Sequence, residues 1–351
     1  METQKKQRLH GHYPIFPQKY FQEMAEHCSK EQIADFYGTG TDLNSFENEL
    51  SDLFKKEAAL FFPSGTMLQP SLARIVCDQN ASKLIAYHPT CHLEIHEHRA
   101  YEKLHNLQSV LIGQKGRVFT IEDLKKIPKN TSLVLFELPQ REIGGQLPTW
   151  EDLNEQIKYL KSQAIWCHLD GARIWECTSY YQKSLDEIAS LFDSVYVSFY
   201  KGIGAISGAA LLSSQSIIDE ASLWLRRCGG NLFTNFPVYL SCRKELATRI
   251  NRFPVYFKRA QEIVEIIQKT SDKIQINPKK IQCNLFHIYI QLPAKTLNQK
   301  NEIFEKKYEF EGLKSFQRIE DQLSKREIYI GDAAMDLSDE LIRDYFSFLS
   351  S

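Results

Sequence analysis

An α/β fold is expected, with a mainly parallel sheet sandwiched by helices and a smaller C-terminal α+β domain behind it. Three observations carry this. Short apolar runs alternate with segments of helical apolar spacing from residue 58 onward, and strands alternating with helices imply a mainly parallel sheet covered on both faces. A long helical segment, "PVYFKRAQEIVEIIQKT" (254–270), interrupts that alternation. The pattern then changes to "CNLFHIYIQL" and "REIYIGDAAM" with a closing helix "SDELIRDYFSFL". The expected organisation is a large domain over 1–250, including an N-terminal arm, and a small α+β domain over 251–351, consistent with a chain of 351 residues at about 150 residues per domain.

The elements follow in order. Residues 15–35 are expected to be helical, and "DFYGTGTD" breaks the pattern. "SFENELSDLF" spaces Phe46, Leu50, Leu53 and Phe54 on one helical face. "AALFF" (58–62) reads as a strand, "PSGT" as a turn and "MLQPSLARIV" as a helix. "KLIAY" (83–87) is a strand and "EIHEHRAYEKL" a helix. "SLVLFELP" (132–139) is a strand and "TWEDLNEQIKYLKSQ" (149–163) a helix. "AIWCHLD" (164–170) is a strand, "SLDEIASLF" a helix, and "SVYVSFYK" (194–201) and "GAALLSS" (208–214) are strands.

Composition excludes several classes. The formal net charge is −1, leaving no basic excess for a nucleic-acid partner. The N-terminal "METQKKQRLHGHYPIF" lacks the apolar core of a signal peptide, and no apolar run is long enough to span a membrane. Eight cysteines without a Cys-x-x-Cys pair read as reduced thiols of a cytoplasmic protein. His168 beside Cys167 has no second ligand pair at zinc spacing, so no metal is expected.

In sheets of this kind ligands bind beyond the carboxyl ends of the strands, and the unusual residues fall there. Ser64-Gly65-Thr66 lies between a strand and a helix start, where free N–H groups and the helix dipole attract an anion; the plainer reading is an N-cap turn. His92 follows "AYHPTC". Asp170 ends "AIWCHLD", and Lys201 ends "SVYVSFY". A lysine there costs desolvation unless its charge is paired or lost, and a desolvated lysine suits Schiff-base formation. An aspartate at a neighbouring strand end could keep a pyridine nitrogen protonated. That pairing is what pyridoxal phosphate requires. Taken singly, Asp170 could be a helix cap and Lys201 could snorkel to the surface. The glycines of "GIGAISG" could instead suggest a dinucleotide turn, but "AISGAALLSS" reads as a strand, not the helix that motif needs.

The sequence resembles the threonine aldolase branch of the β-eliminating lyase family, among fold-type I pyridoxal phosphate enzymes of aminotransferase-like fold. The resemblance runs from about residue 35 to 245. It rests on "DFYGTGTDLNSFENEL", "FFPSGTM", "HLEIHE", "ELPQREIGGQLP", "HLDGAR" and "SFYKGIGAISGA". It implies that Lys201 carries the cofactor, Asp170 meets the pyridine nitrogen and His92 stacks on the ring. It places Ser64, Gly65, Thr66 and Ser198 among the cofactor-binding residues and Arg173 near the cofactor and the substrate carboxylate. Tyr37 would approach an active site, that of a neighbouring subunit in a homodimer or homotetramer.

The implied reaction is retro-aldol cleavage of a β-hydroxy-α-amino acid to glycine and an aldehyde. The base is His92, a water or a neighbour-subunit group. β-Elimination or racemisation on the same cofactor, or a catalytically silent protein of this fold, are the alternatives. The substrate machinery departs from the family pattern. "RLHGHYP" stands where the family has an "RSDT"-like stretch, leaving His10 or His12 as substitutes, and "RRCGGNLFTN" replaces a "GGGMRQ" element. Arg318 and Arg326 are candidates for a C-terminal carboxylate arginine. Tyr13, Phe16, Leu232, Phe233 and Phe236 crowd the altered segments, and if they line the pocket a phenylserine-like substrate is expected to outperform threonine.

Overall fold

The structure, a computed structural model, describes residues 6–351. Two compact units divide the chain. The larger comprises Phe16–Glu142 and Leu147–Asn251; the smaller comprises Ile143–Gln146 and Arg252–Ser351 with the N-terminal residues through Ile15. The N-terminal arm, expected within the 1–250 domain, therefore bonds elsewhere. Leu9 N–H donates to Glu311 O at 3.1 Å and Gly11 N–H to Tyr329 O at 2.8 Å, while Arg8 pairs with Glu311 at 2.8 Å.

The larger unit holds a seven-stranded sheet: β1 (Ala58–Phe62), β2 (Leu84–Tyr87), β3 (Gln108–Leu111), β4 (Leu133–Glu137), β5 (Trp166–Gly171), β6 (Ser194–Ser198) and β7 (Ala209–Ser213), in the order β1-β7-β6-β5-β4-β2-β3. All neighbours pair parallel except at β7, which runs antiparallel to both β6 and β1. Every residue of β6 and β7 is buried, which explains their continuous apolar character. Helix α1 spans Pro17–His27, α2 Thr41–Phe54, α3 Gly65–Gln79, α4 Trp150–Ser162, α5 Gln215–Arg227 and α6 Phe236–Arg249.

Side-chain alternation shows that both faces of the sheet are covered. Phe62 joins one core with Leu68 and Leu72 of α3 and Ile217 and Leu225 of α5. Its neighbour Phe61 points the other way and meets Phe46 of α2, ring centroids 6.5 Å apart. On the α3 face lie Ile85, Tyr87, Leu133, Leu135 and Tyr196.

Three sequence expectations need correction. The helix expected over 15–35 stops at His27, because beyond it the apolar stripe is reduced to Ile33, which is 82% exposed. The helix expected over 94–104 is two single turns, His92–Ile95 and Ala100–Lys103, separated where His98 and Arg99 take left-handed φ values of 49° and 59°. The strand expected to run to Lys201 ends at Ser198. There Phe199 N–H donates to Gly208 O at 3.1 Å and Phe199 O accepts from Ala205 N–H at 2.8 Å, so the chain closes into a loop joining β6 to β7. That loop leads into a strand, which removes the dinucleotide reading of its glycines.

In the smaller unit, β8 (Ile274–Asn277), β9 (Leu285–Ile290), β10 (Gln317–Glu320) and β11 (Leu323–Tyr329) form an antiparallel sheet in the order β10-β11-β9-β8. Its helices are α7 (Phe253–Thr270), α8 (Ala294–Tyr308) and α9 (Asp339–Ser350). Arg259, buried on α7, ties the unit together by bonds to Leu337 O at 2.7 Å and Asp339 Oδ1 at 2.8 Å. Among the described residues no helix is long and apolar enough to cross a membrane.

Candidate active site

The carboxyl ends of β4 and β5 form the floor of a cleft in the larger unit. Glu137 and Asp170 are partners in the strand register. By alternation Glu137 shares the α3 face with Leu133 and Leu135. Asp170 is only 3% exposed. Its Oδ2 accepts from Gln69 Nε2 of α3 at 2.9 Å, and its Oδ1 from the Ala172 N–H at 3.1 Å. A carboxylate offers about four lone-pair sites, so an acceptor position remains for one further N–H. Glu137 accepts from the Arg141 N–H at 3.1 Å through Oε1, and its buried Oε2 makes no bond within the protein. Burial, and then the neighbouring Asp170, hold the Glu137 carboxyl well above the ordinary carboxylate range, because two adjacent buried carboxylates resist ionising together.

A second wall follows β2. His92 and His96 flank one helical turn, their ring centroids 5.1 Å apart. His92 Nδ1 lies 2.8 Å from Oε1 of the buried Glu97, which leaves Nε2 as the remaining ring nitrogen. Burial raises the Glu97 carboxyl, and the bond to His92 opposes that rise. His96 Nε2 lies 3.0 Å from Glu142 Oε1, and Arg141 Nη1 donates to the same oxygen at 3.2 Å. Thr90 completes this wall; its hydroxyl bonds His88 Nδ1 at 2.8 Å and accepts from Gln140 Nε2 at 3.2 Å.

Arg173 and Lys201 line the same cleft. Arg173 Nη1 donates to Oε1 of the fully buried Glu176 at 3.0 Å, which holds the guanidinium in place. Lys201 sits on the β6–β7 loop, its Nζ 5.8 Å from the Tyr200 ring centroid. The cleft thus brings together His92, Asp170, Arg173 and Lys201, with Glu137, His96, Arg141 and Glu142 beside them.

Other residues singled out from the sequence lie outside that lining. Ser64 is the N-cap of α3, with extended backbone, no side-chain cap bond and no acidic residue in the first turn. The leading amides of α3 are therefore left to an anion, at the positive end of the helix dipole. Gly65 has a packing reason as well: a Cβ there would overlap the Tyr196 hydroxyl. Ser198 is fully buried at the end of β6. Tyr37 has a left-handed φ of 47° and is exposed, packing edge-on to Phe36 and Phe233 at 4.8 and 5.5 Å between centroids. Phe16, Leu232, Phe233 and Phe236 are exposed and absent from the cleft lining, and the Tyr13 hydroxyl bonds Asp336 in the smaller unit. The apolar pocket envisaged from those side chains is thus not what lines this cleft. His168 is a core residue: its Nδ1 bonds Ser194 Oγ at 2.8 Å, and burial lowers its pKa to about 4.

Sequence reasoning missed Gln69, Glu97, Glu137, His96, Arg141 and Glu142. Glu137 carried the same signal as Asp170, a carboxylate closing an apolar run. Gln69 carried none, because its partner Asp170 is brought near only by folding; Glu97 lies five residues from His92, but its burial is not visible in composition. The donor set suits pyridoxal phosphate: an acceptor at Asp170 for a ring N–H, free amides at α3 for a phosphate, and an amine at Lys201.

A profile of the beta-eliminating lyase family matches residues 21–289. A Listeria monocytogenes structure provisionally named an L-allo-threonine aldolase is 36% identical, with a TM-score of 0.94, covering 98% of this chain and 96% of that one. An Exiguobacterium structure, provisionally named an aromatic amino acid beta-eliminating lyase/threonine aldolase, is 33% identical with a TM-score of 0.94, covering 99% and 97%. "Probable low-specificity L-threonine aldolase 2" of Arabidopsis thaliana is 26% identical over 74% of this chain and 75% of its own length.

Proposed function

The chain belongs to the beta-eliminating lyase family, and from that premise we infer that it is a pyridoxal phosphate-dependent carbon–carbon lyase that cleaves β-hydroxy-α-amino acids to glycine and an aldehyde, as threonine aldolases do. The observation that carries this reading is the convergence of Asp170, His92, Arg173 and Lys201 on one cleft. When bound, the cofactor supplies an electron sink for the bond broken at Cα.

The protein's own groups take defined parts in this proposal. Lys201 Nζ is the amine of attachment. Asp170, oriented by Gln69 and the Ala172 amide, holds the ring nitrogen's proton. His92 would stack on the cofactor ring, its tautomer set by Glu97: a carboxylate at Nδ1 favours the proton there and leaves Nε2 as an acceptor. Arg173, steadied by Glu176, offers two parallel donors to the substrate carboxylate. Ser64, Gly65, Thr66 and Ser198 would hold the phosphate. The proton of the β-hydroxyl goes to His92, a water or a group of a second subunit. A homodimer or larger assembly belongs to this reading, with Tyr37 reaching a partner's site; the exposed Phe36–Tyr37–Phe233 cluster supports it. So does a cytoplasmic location, consistent with eight free cysteines.

Borohydride reduction of the holoenzyme followed by peptide mapping should label Lys201, and Lys201→Ala should lose nearly all turnover. Threonine and allo-threonine should yield glycine and acetaldehyde. A label on another lysine overturns the assignment. Pyruvate and ammonia from a β-substituted amino acid, with no aldehyde from any β-hydroxy substrate, would replace the aldol reading with β-elimination.

A further inference from the structure

The proposed reading leaves open which β-substituent the site accepts, and the wall beyond His92 bears on that. It is polar. His96, Arg141 and Glu142 all line the cleft, and they bond to one another: His96 Nε2 to Glu142 Oε1 at 3.0 Å and Arg141 Nη1 to the same oxygen at 3.2 Å. With Nε2 engaged by a carboxylate, His96 presents Nδ1 as its other hydrogen-bonding atom, and Glu142 retains Oε2. These groups are partly open to water, their side chains 25–40% exposed. An aryl group laid against them would strip that water and return no hydrogen bond, which is costly for charged and polar groups. A hydroxyl would replace the water it displaces. Sites built to hydrogen-bond a substrate hydroxyl discriminate strongly against analogues that lack it.

We propose that His96, Glu142 and Arg141 form a polar subsite that selects β-hydroxy-α-amino acids whose β-substituent carries a further hydroxyl, over those with an aryl or alkyl β-substituent. The proposal rests on the aldol reading above. It reverses the preference for phenylserine expected from the aromatic residues of the sequence, none of which supplies this wall.

The test measures aldehyde release by the holoenzyme from threonine, phenylserine and the threonine analogue bearing a hydroxyl on C4. In the wild type, kcat/KM for the hydroxylated analogue should exceed that for phenylserine at least tenfold. In His96→Phe that ratio should fall at least tenfold, chiefly through KM. Glu142→Gln, a smaller change at a more exposed position, should move the ratio in the same direction and serves if His96→Phe does not fold. The absorbance of the bound cofactor, near 420 nm, should persist in both variants. A wild-type preference for phenylserine overturns the subsite. So does a variant in which all three substrates decline by the same factor, since a purely structural role predicts that result. Aldehyde from none of the three overturns the aldol reading itself, a result distinguishable from loss of the subsite alone.

Discussion

Asp170 and His92 line one cleft, but the fold holds them differently. Asp170 sits within a central strand, 3% exposed, fixed by a helix side chain and a backbone amide. His92 opens a single helical turn, its side chain 31% exposed, oriented by one carboxylate. The floor is thus defined by strand register, which a seven-stranded sheet enforces cooperatively, whereas the wall is defined by a few side-chain bonds on short segments. The floor suits chemistry that must be the same for every substrate. The wall can change with few consequences for the core.

The sharpest way to break this comparison is Asp170→Asn, which keeps the shape of the floor and removes its charge. Activity should fall more than tenfold, equivalent to more than ~1.4 kcal/mol of transition-state stabilisation. Turnover near that of the wild type would reduce Asp170 to a structural cap. On the wall, Glu97→Gln should cost roughly tenfold in kcat with little change in thermal stability, as expected when a hydrogen bond of ~1.5–3 kcal/mol to a charged partner is weakened. If stability falls as much as activity, Glu97 is a core residue rather than an orienting one.

Gly65→Ala tests whether the floor also depends on packing. The added Cβ would overlap the Tyr196 hydroxyl, and overpacking of this kind typically costs ~1–3 kcal/mol. Urea denaturation of the apoprotein should register the loss, and Tyr196→Phe in the same chain should restore part of it. An unchanged midpoint would leave phosphate contact as the sole reason for the glycine.

The last test concerns pH. Glu137 is raised to about 8 by burial and by Asp170, and Glu47 to about 7 by burial, against about 4.3 in an unfolded chain. Folding therefore favours the protonated forms. Their stabilising contribution is complete below the unfolded value and is lost as pH rises toward the folded ones. The apoprotein's Tm should decline between about pH 5 and 8, and Glu137→Gln should flatten that decline. An identical slope in the variant would mean that Glu137 is ionised in the folded protein.

Much of this organisation was legible in the sequence, for identifiable reasons. Strands buried on both faces announce themselves as apolar runs, so β1, β4, β5 and β7 were found within a few residues of their ends. A charged group closing such a run is anomalous on desolvation grounds, which is how Asp170 and Lys201 came to notice. β3 was missed because it is a short edge strand with half-exposed side chains, and α5, α6 and α8 were passed over beside the stronger strand signals. The extension of β6 to Lys201 was wrong because composition does not reveal where a backbone turns away, here at the Phe199–Gly208 closure. Gly65 was read as a phosphate contact, while the space it concedes to Tyr196 depends on a strand far away in sequence. Glu142, the carboxylate behind His96, was invisible for the same reason.

The register pairing of Glu137 with Asp170 has one consequence for cofactor uptake. Burial and the neighbouring Asp170 favour a proton on Glu137, and the Lys201 charge opposes it. If, as proposed, Asp170 faces a cationic ring nitrogen, that charge would offset the carboxylate and Glu137 would hold its proton less strongly. Loading and deprotonation would then form one linked equilibrium, with the protein acting as a small buffer that discharges when filled. Isothermal calorimetry in two buffers of different ionisation heat, run on the wild type and on Glu137→Gln, would read that discharge as the part of the buffer dependence that the variant loses.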